Sequence, residues 1–209
     1  MAAFAATLIV GTGSSIAGGA GAYFYTYVLG DMKLMSGVSV IGLIASLVGI
    51  VMGPYLANRF GKKKVYLTAV IISTALNLLR LLDVTSMILI YISALIGGVA
   101  GGWMVPVNTS IQADNTTYVQ YKTGKRAEAA IASLTSFVSK VAQGLGGAIP
   151  GYVIAAYGFV TGASVQPESI NTGIILCALI LPLIFGILGL LIFWHTVYAG
   201  SESSNRDGR

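Results

Sequence analysis

The feature that most constrains this chain is a succession of six apolar runs, each long enough to cross the ~30 Å hydrocarbon core of a bilayer, a distance that takes about 20 helical residues. They cover about 3–29, 37–57, 65–82, 87–111, 128–158 and 170–198. An open sheet edge is not tolerated in lipid, and no alternating barrel pattern runs through these segments, so they are predicted to be helices. Composition agrees. Of 209 residues, 56% are hydrophobic and 9% charged, and mean hydropathy is +0.83. A soluble domain carries about a quarter charged residues, so the chain is predicted to be an all-α integral membrane protein. Residues 1–200 form a six-helix bundle, and 201–209 a polar tail.

Loop charges set an orientation. Arg59, Lys62, Lys63 and Lys64 lie between the second and third spans, and Lys122, Lys125 and Arg126 between the fourth and fifth. Arg206 and Arg209 lie in the tail. The alternate connections carry Asp31 with Lys33, Asp83 and Glu168. Positive charge stays on the cytoplasmic side, which places both termini in the cytoplasm of a multi-pass cell-membrane protein. The same topology explains the net charge of +5 without a nucleic-acid partner. Met1-Ala2-Ala3-Phe4 lacks a basic n-region, so the first run is expected to stay as a span rather than be removed as a signal. Cys177 is the single cysteine and reads as a small apolar helix residue.

Glycine pairs at helical spacing, Gly49/Gly53, Gly97/Gly101, Gly98/Gly102 and Gly147/Gly151, are expected to let helices approach closely. Pro54, Pro106, Pro150 and Pro182 are candidate kinks. The Gly11-Thr12-Gly13-Ser14-Ser15 run lies inside a span and lacks the lysine of a phosphate loop. No nucleophile–base pair, metal-ligand cluster or dinucleotide motif is present in the sequence, so neither an enzyme nor a resident cofactor is expected.

Several polar residues stand out within the spans. Lys140 lies about three and a half turns into the fifth, where a charge is costly and is expected to face a bundle interior or an aqueous cavity. Ser133, Ser136, Lys140, Gln143 and Gly147 share its stripe, with Thr135 and Ser139 alongside. In the fourth span, Trp103 is a candidate to stack on the ring of a small ligand, with Asn108 and Gln112 to read its polar groups. Asp114 is expected to pair with Lys122, Arg126 or Arg59. Arg80 and Asp83 are spaced as a helix-end ion pair, with an outer gate as the other reading, and Asn77 on the same side reads as polar glue. Trp194 and His195 fit a cytoplasmic interface.

Two cytoplasmic segments carry a family resemblance. Asn58-Arg59-Phe60-Gly61-Lys62-Lys63-Lys64 resembles the basic turn of major facilitator transporters. Ala113-Asp114, with Tyr118-x-x-Tyr121-Lys122-Thr123-Gly124-Lys125-Arg126-Ala127-Glu128, is similar to the loop joining helices ten and eleven in the glycoside–pentoside–hexuronide:cation symporters. Phe24-Tyr25-Thr26-Tyr27-Val28-Leu29-Gly30-Asp31 resembles the end of their seventh helix. The resemblance therefore implies helices seven to twelve, the C-terminal half of such a carrier. It implies transport of a sugar or sugar acid, with a lysine of the eleventh helix, here Lys140, near the cation and sugar sites. It also implies a cytoplasmic gate drawn from Arg59, Lys62, Asp114, Tyr118, Tyr121, Lys122, Lys125 and Arg126.

The family's first half supplies the acidic residues that bind the coupling Na+ or H+, and they have no counterpart here. The family's Asp-Tyr-Gly-Glu is replaced by Thr117-Tyr118-Val119-Gln120, which leaves the loop strongly basic. A half-carrier would need a second copy of itself or a separate N-terminal half. The competing expectation is a non-transporting membrane subunit or truncated remnant that keeps the fold.

Overall fold

The computed structural model describes residues 2–123, 128–163 and 166–192. Its helices are α1 (Ala2–Tyr23), α2 (Met32–Phe60), α3 (Lys62–Leu82), α4 (Met87–Thr123), α5 (Glu128–Ala156) and α6, which begins as Ser169–Ile175. α1 ends in a π-helical stretch, Phe24–Val28, and α6 passes through another, Leu176–Ile180, before continuing to Ile192. No strand occurs among the described residues. Met32–Phe60, Lys62–Leu82, Met87–Tyr121 and Ser169–Ile192 are long and apolar enough to cross a membrane.

The helix boundaries follow local chemistry. Gly30, at φ +72, takes the left-handed conformation that closes α1. The Leu29 amide donates to the Phe24 carbonyl at 3.1 Å and the Asp31 amide to the Tyr25 carbonyl at 3.0 Å, a helix end widened by its π turn. Asp31 then caps α2, its carboxylate accepting from the Lys33 amide at 2.8 Å. Gly61, at φ +86, is the single residue that separates α2 from α3, so the basic turn is a break between two helices rather than a free loop. In α6 the π stretch ends two residues before Pro182. Proline has no N–H and crowds the carbonyl four residues back, and a wider turn there accommodates both demands.

Two helix pairs dominate the packing, α2 with α4 and α1 with α5. Glycine makes the first possible. A β-carbon on Gly98 would meet the Gly42 carbonyl oxygen at 2.7 Å, and one on Gly53 the Pro106 ring at 2.6 Å. At Gly49 and Gly102 it would overlap the carbonyl oxygens of Val99 and Ser46. The expected role of Gly49/Gly53 and Gly98/Gly102 is thus observed. Gly97/Gly101 and Gly147/Gly151 differ. A β-carbon on Gly97 makes ordinary contact with Leu76 at 3.5 Å, and Gly101, Gly147 and Gly151 have nothing within 4 Å. The α1–α5 contact instead rests on Gly19 and Gly146, the latter backed directly onto Ser15.

Ile16, Ala20 and Phe24 of α1 are buried with Ile154 of α5 and Ile170, Ile174 and Cys177 of α6, so the cysteine is the apolar helix residue expected, and it lies in the core. A second cluster joins Val65, Tyr66 and Val70 of α3 to Val107 of α4. The exterior is largely apolar, with Leu43, Ile44, Leu47 and Val51 of α2 all exposed, as a lipid-facing surface requires.

The polar segment after residue 111 is not a loop at its start. α4 continues through it to Thr123, because Ala113–Thr123 contains neither Gly nor Pro, and its hydroxyls bond back along the helix. Thr116 Oγ1 donates to the Gln112 carbonyl at 3.0 Å and Thr117 Oγ1 to Ala113 at 3.1 Å.

Candidate functional site

α5 has two unlike faces. Ala142, Gly146, Pro150 and Ile154 repeat every fourth residue and are buried, the face that meets α1. Ser133, Ser136, Lys140, Gln143 and Gly147 are all exposed on the other side. Lys140 therefore does not point into this six-helix bundle. Its Nζ donates to Gln143 Oε1 at 3.4 Å, a long contact one helical turn away. Thr135 is half-buried and donates to the Ile131 carbonyl at 2.9 Å, which leaves its oxygen as an acceptor. The predicted stripe is real, and it lies on the outside of the bundle.

The fourth-helix residues lie elsewhere. Trp103 is half-buried and packed against the Val65–Tyr66–Val107 cluster, and its backbone lies where α2 glycines pass. Its indole N–H is buried without a partner. The structure thus gives Trp103 a packing position rather than an open stacking surface. Asn108 and Gln112 are half-buried farther along α4.

At the basic end, Lys62 opens α3 and donates to both oxygens of Asp114 on α4, at 2.8 and 2.7 Å. This differs from the Arg59 pairing considered from sequence. Arg59 instead donates to the Tyr55 hydroxyl at 3.4 Å and lies 5.4 Å from the Phe60 ring centre. Gly61 explains the exchange, because its break between the helices separates Arg59, on α2, from Lys62, on α3. The Tyr121 side chain is exposed. Lys125, Arg126, Trp194, His195 and the tail, with the side chains of Tyr118 and Lys122, lie outside the described residues.

The Lys62–Asp114 pair has side-chain exposures of 35% and 61%. Pairs in water contribute only about 0–1 kcal/mol, so its loss should leave folding almost intact. Replacing Asp114→Lys is expected to shift unfolding temperature little but to slow any transport cycle by several-fold. The double exchange Lys62→Asp with Asp114→Lys should restore the rate, and a double variant no better than the single one would remove the pair's role.

Two polar clefts beside α3 were not evident in the sequence. Ser73, Asn77 and Arg80 of α3 line a cavity of about 220 Å³ with Ser93 of α4. Ser73, Asn77 and Gly97 also border a second one of about 330 Å³, reached by Ser14 and Thr74. Arg80 does not pair with Asp83. That carboxylate accepts from the Thr85 amide and hydroxyl, both at 3.1 Å. The signal for the cavities was the i, i+4, i+7 spacing of Ser73, Asn77 and Arg80, which places them on one helical face.

Comparison with known proteins fits this architecture. Residues 1–198 match the family described as MFS/sugar transport protein. The chain is 32% identical over 187 residues to the glucuronide carrier protein homolog of Escherichia coli K12, covering 87% of this chain and 40% of that protein. It is 28% identical over 154 residues to the isoprimeverose transporter of Lactiplantibacillus pentosus, covering 71% and 31%. A putative sulfoquinovose importer of Salmonella typhimurium is 28% identical over 138 residues, 66% of this chain and 29% of the importer. The chain thus spans two fifths or less of the length of these relatives. It belongs to the MFS/sugar transport protein family, multi-pass membrane carriers rather than enzymes, and provides six transmembrane helices that make half of a major facilitator fold.

Proposed function

We propose that the chain works as one half of a carrier for a sugar or sugar acid, with the exposed face of α5 forming one wall of the substrate path. The carrying observation is the exposure of Lys140 and its hydroxyl and amide neighbours on an otherwise apolar exterior. A lysine at the centre of a span costs about 2.5–3.5 kcal/mol on insertion scales. A second six-helix half, from an N-terminal partner or another copy, would replace lipid with an aqueous cleft at that face. Facilitator halves are related by an axis along the membrane normal, with substrate between them near midplane.

In this arrangement the Lys140 ammonium donates to a substrate oxygen, and Ser136, Thr135 and Gln143 read hydroxyls beside it. Asn108 and Gln112 of α4 extend the polar lining toward the cytoplasm. The basic helix ends face the cytoplasm, as do both termini, and the Lys62–Asp114 pair ties α3 to α4 there. Na+ or H+ coupling, where it operates, resides on the other half. Of the carboxylates within residues 1–200, Asp31, Asp83, Glu128 and Glu168 lie at a helix end or in a connection, and Asp114 lies in the last three turns of α4, paired with Lys62.

The test is accessibility with substrate protection. In a Cys177→Ala background, Ser136→Cys and Gln143→Cys should react with a membrane-impermeant maleimide in opened vesicles, and glucuronate or isoprimeverose should slow the reaction. Leu43→Cys on the lipid-facing side of α2 should stay unreactive. If Ser136→Cys and Gln143→Cys are as inert as Leu43→Cys, the stripe faces lipid and the proposal fails. A stable monomer as native mass, from protein extracted together with any partner, would equally remove the paired-half reading.

A further inference from the structure

We propose that Arg80 is the anchor of an oxyanion-binding site in the half-open cleft it lines with Ser73, Asn77 and Ser93. The site is separate from the α5 stripe and does not depend on the transport reading. Arg80 is partly buried near the outer end of α3, and its Nε has no hydrogen-bond partner. An arginine offers five N–H donors and no acceptor. The Phe24 ring lies 5.1 Å from the guanidinium carbon, which supplies a cation–π contact but takes up none of those donors in hydrogen bonds.

The counter-charge is also missing. The Lys62–Asp114 pair is the sole ion pair among the described residues, and Asp83, three residues along, is occupied by Thr85. A desolvated cation in a membrane protein is costly unless it meets an anion or water. The adjoining space is suited to an anion. Its volume of about 220 Å³ exceeds several water volumes at ~30 Å³ each, enough for a carboxylate, sulfonate or phosphate group. Asn77 and Ser73 add neutral donors from the same face of α3, and Ser93 adds one from α4. Guanidinium with oxyanion is a strong pairing because two parallel N–H donors match two oxygens. The group could belong to a dissolved acid or to a phospholipid head entering at the outer end of α3, and the two share this chemistry.

The experiment uses the full chain purified in mild detergent. Calorimetric titration with sulfate and with glucuronate, at fixed ionic strength in chloride, covers the dissolved source. Native mass spectrometry of retained phospholipid covers the other. Saturable binding weakened about tenfold or more by Arg80→Gln, with part recovered in Arg80→Lys, assigns a dissolved anion, the loss being that of a charged hydrogen-bonding partner. Loss of a retained phospholipid in Arg80→Gln assigns the lipid phosphate. Lys33→Ala, which removes an exposed cation at the start of α2 that does not line the cleft, should change neither reading. Asn77→Ala keeps the test available where Arg80→Gln fails to fold, and should weaken the same binding by several-fold. Titration and lipid retention that are the same in wild type, Arg80→Gln and Asn77→Ala would mean the cavity holds water only, and would overturn the proposal.

Discussion

Replacing Lys140→Ala should lower saturable sugar uptake by about 10–100-fold while the amount of protein in the membrane stays the same. Two features of the structure make the effect large and selective. Lys140 is exposed, and its one hydrogen-bond partner among the described residues is Gln143 of its own helix, at 3.4 Å, so its removal opens no buried cavity. What it supplies is therefore available to a ligand or to the facing half. A hydrogen bond to a charged group contributes about 1.5–3 kcal/mol, and losing one from the transport path lowers uptake efficiency by about 10–100-fold. Lys140→Arg keeps the charge on a longer, planar group and should retain part of the activity. The measurement is initial uptake of labelled glucuronate or isoprimeverose in cells that also express the complementary half, normalised to membrane-inserted protein. Uptake unchanged by Lys140→Ala would end the assigned role. The replacement of the loop acids by Thr117 and Gln120 would then favour a fold kept without transport.

What the sequence disclosed, and what it did not, divides along a physical line. Helix number, the α5 stripe and the Gly49/Gly53 and Gly98/Gly102 contacts follow from hydropathy and from periodicity within one segment, both local properties. The choice of face is not local. Gly146 and Gly147 are neighbours in sequence, yet Gly146 backs onto Ser15 and Gly147 meets nothing within 4 Å. Rotation of α5 by a single residue decides between them, and that rotation is set by α1. Asp114 likewise could be read as an acid seeking a cation, but its partner depends on where α2 stops and α3 starts, and Gly61 fixes that. An i, i+3 spacing pairs Arg80 with Asp83 only if the helix continues through both. Asp83 has left the helix, with φ −146, and its carboxylate turns to Thr85. The polar cavities require three or four helices to be placed at once, which no single periodic pattern encodes.

Gly102→Leu and Gly147→Leu should fail in opposite ways, and the contrast tests fold and assembly together. At Gly102 any β-carbon overlaps the Ser46 carbonyl. A carbonyl held in the α2 backbone cannot yield as a flexible side-chain end does, so α2 and α4 must separate. Overpacking a tight core costs typically about 1–3 kcal/mol and more where backbone must move. The α2–α4 pairing is also the most extensive helix contact among the described residues, so Gly102→Leu is expected to give little or no folded, monodisperse protein. Gly147 is exposed on the Lys140 face with open space around it, so Gly147→Leu should fold and show an unchanged melting temperature. If a second half seats against this face, the same leucine should block assembly, shifting native mass to the smaller species and removing uptake. Size-exclusion light scattering with thermal unfolding separates the outcomes. Normal folding of Gly102→Leu would contradict the α2–α4 geometry. Unimpaired assembly and uptake in Gly147→Leu would mean that the facing half leaves room for a leucine beside Lys140, and the interface would have to be sought on another face.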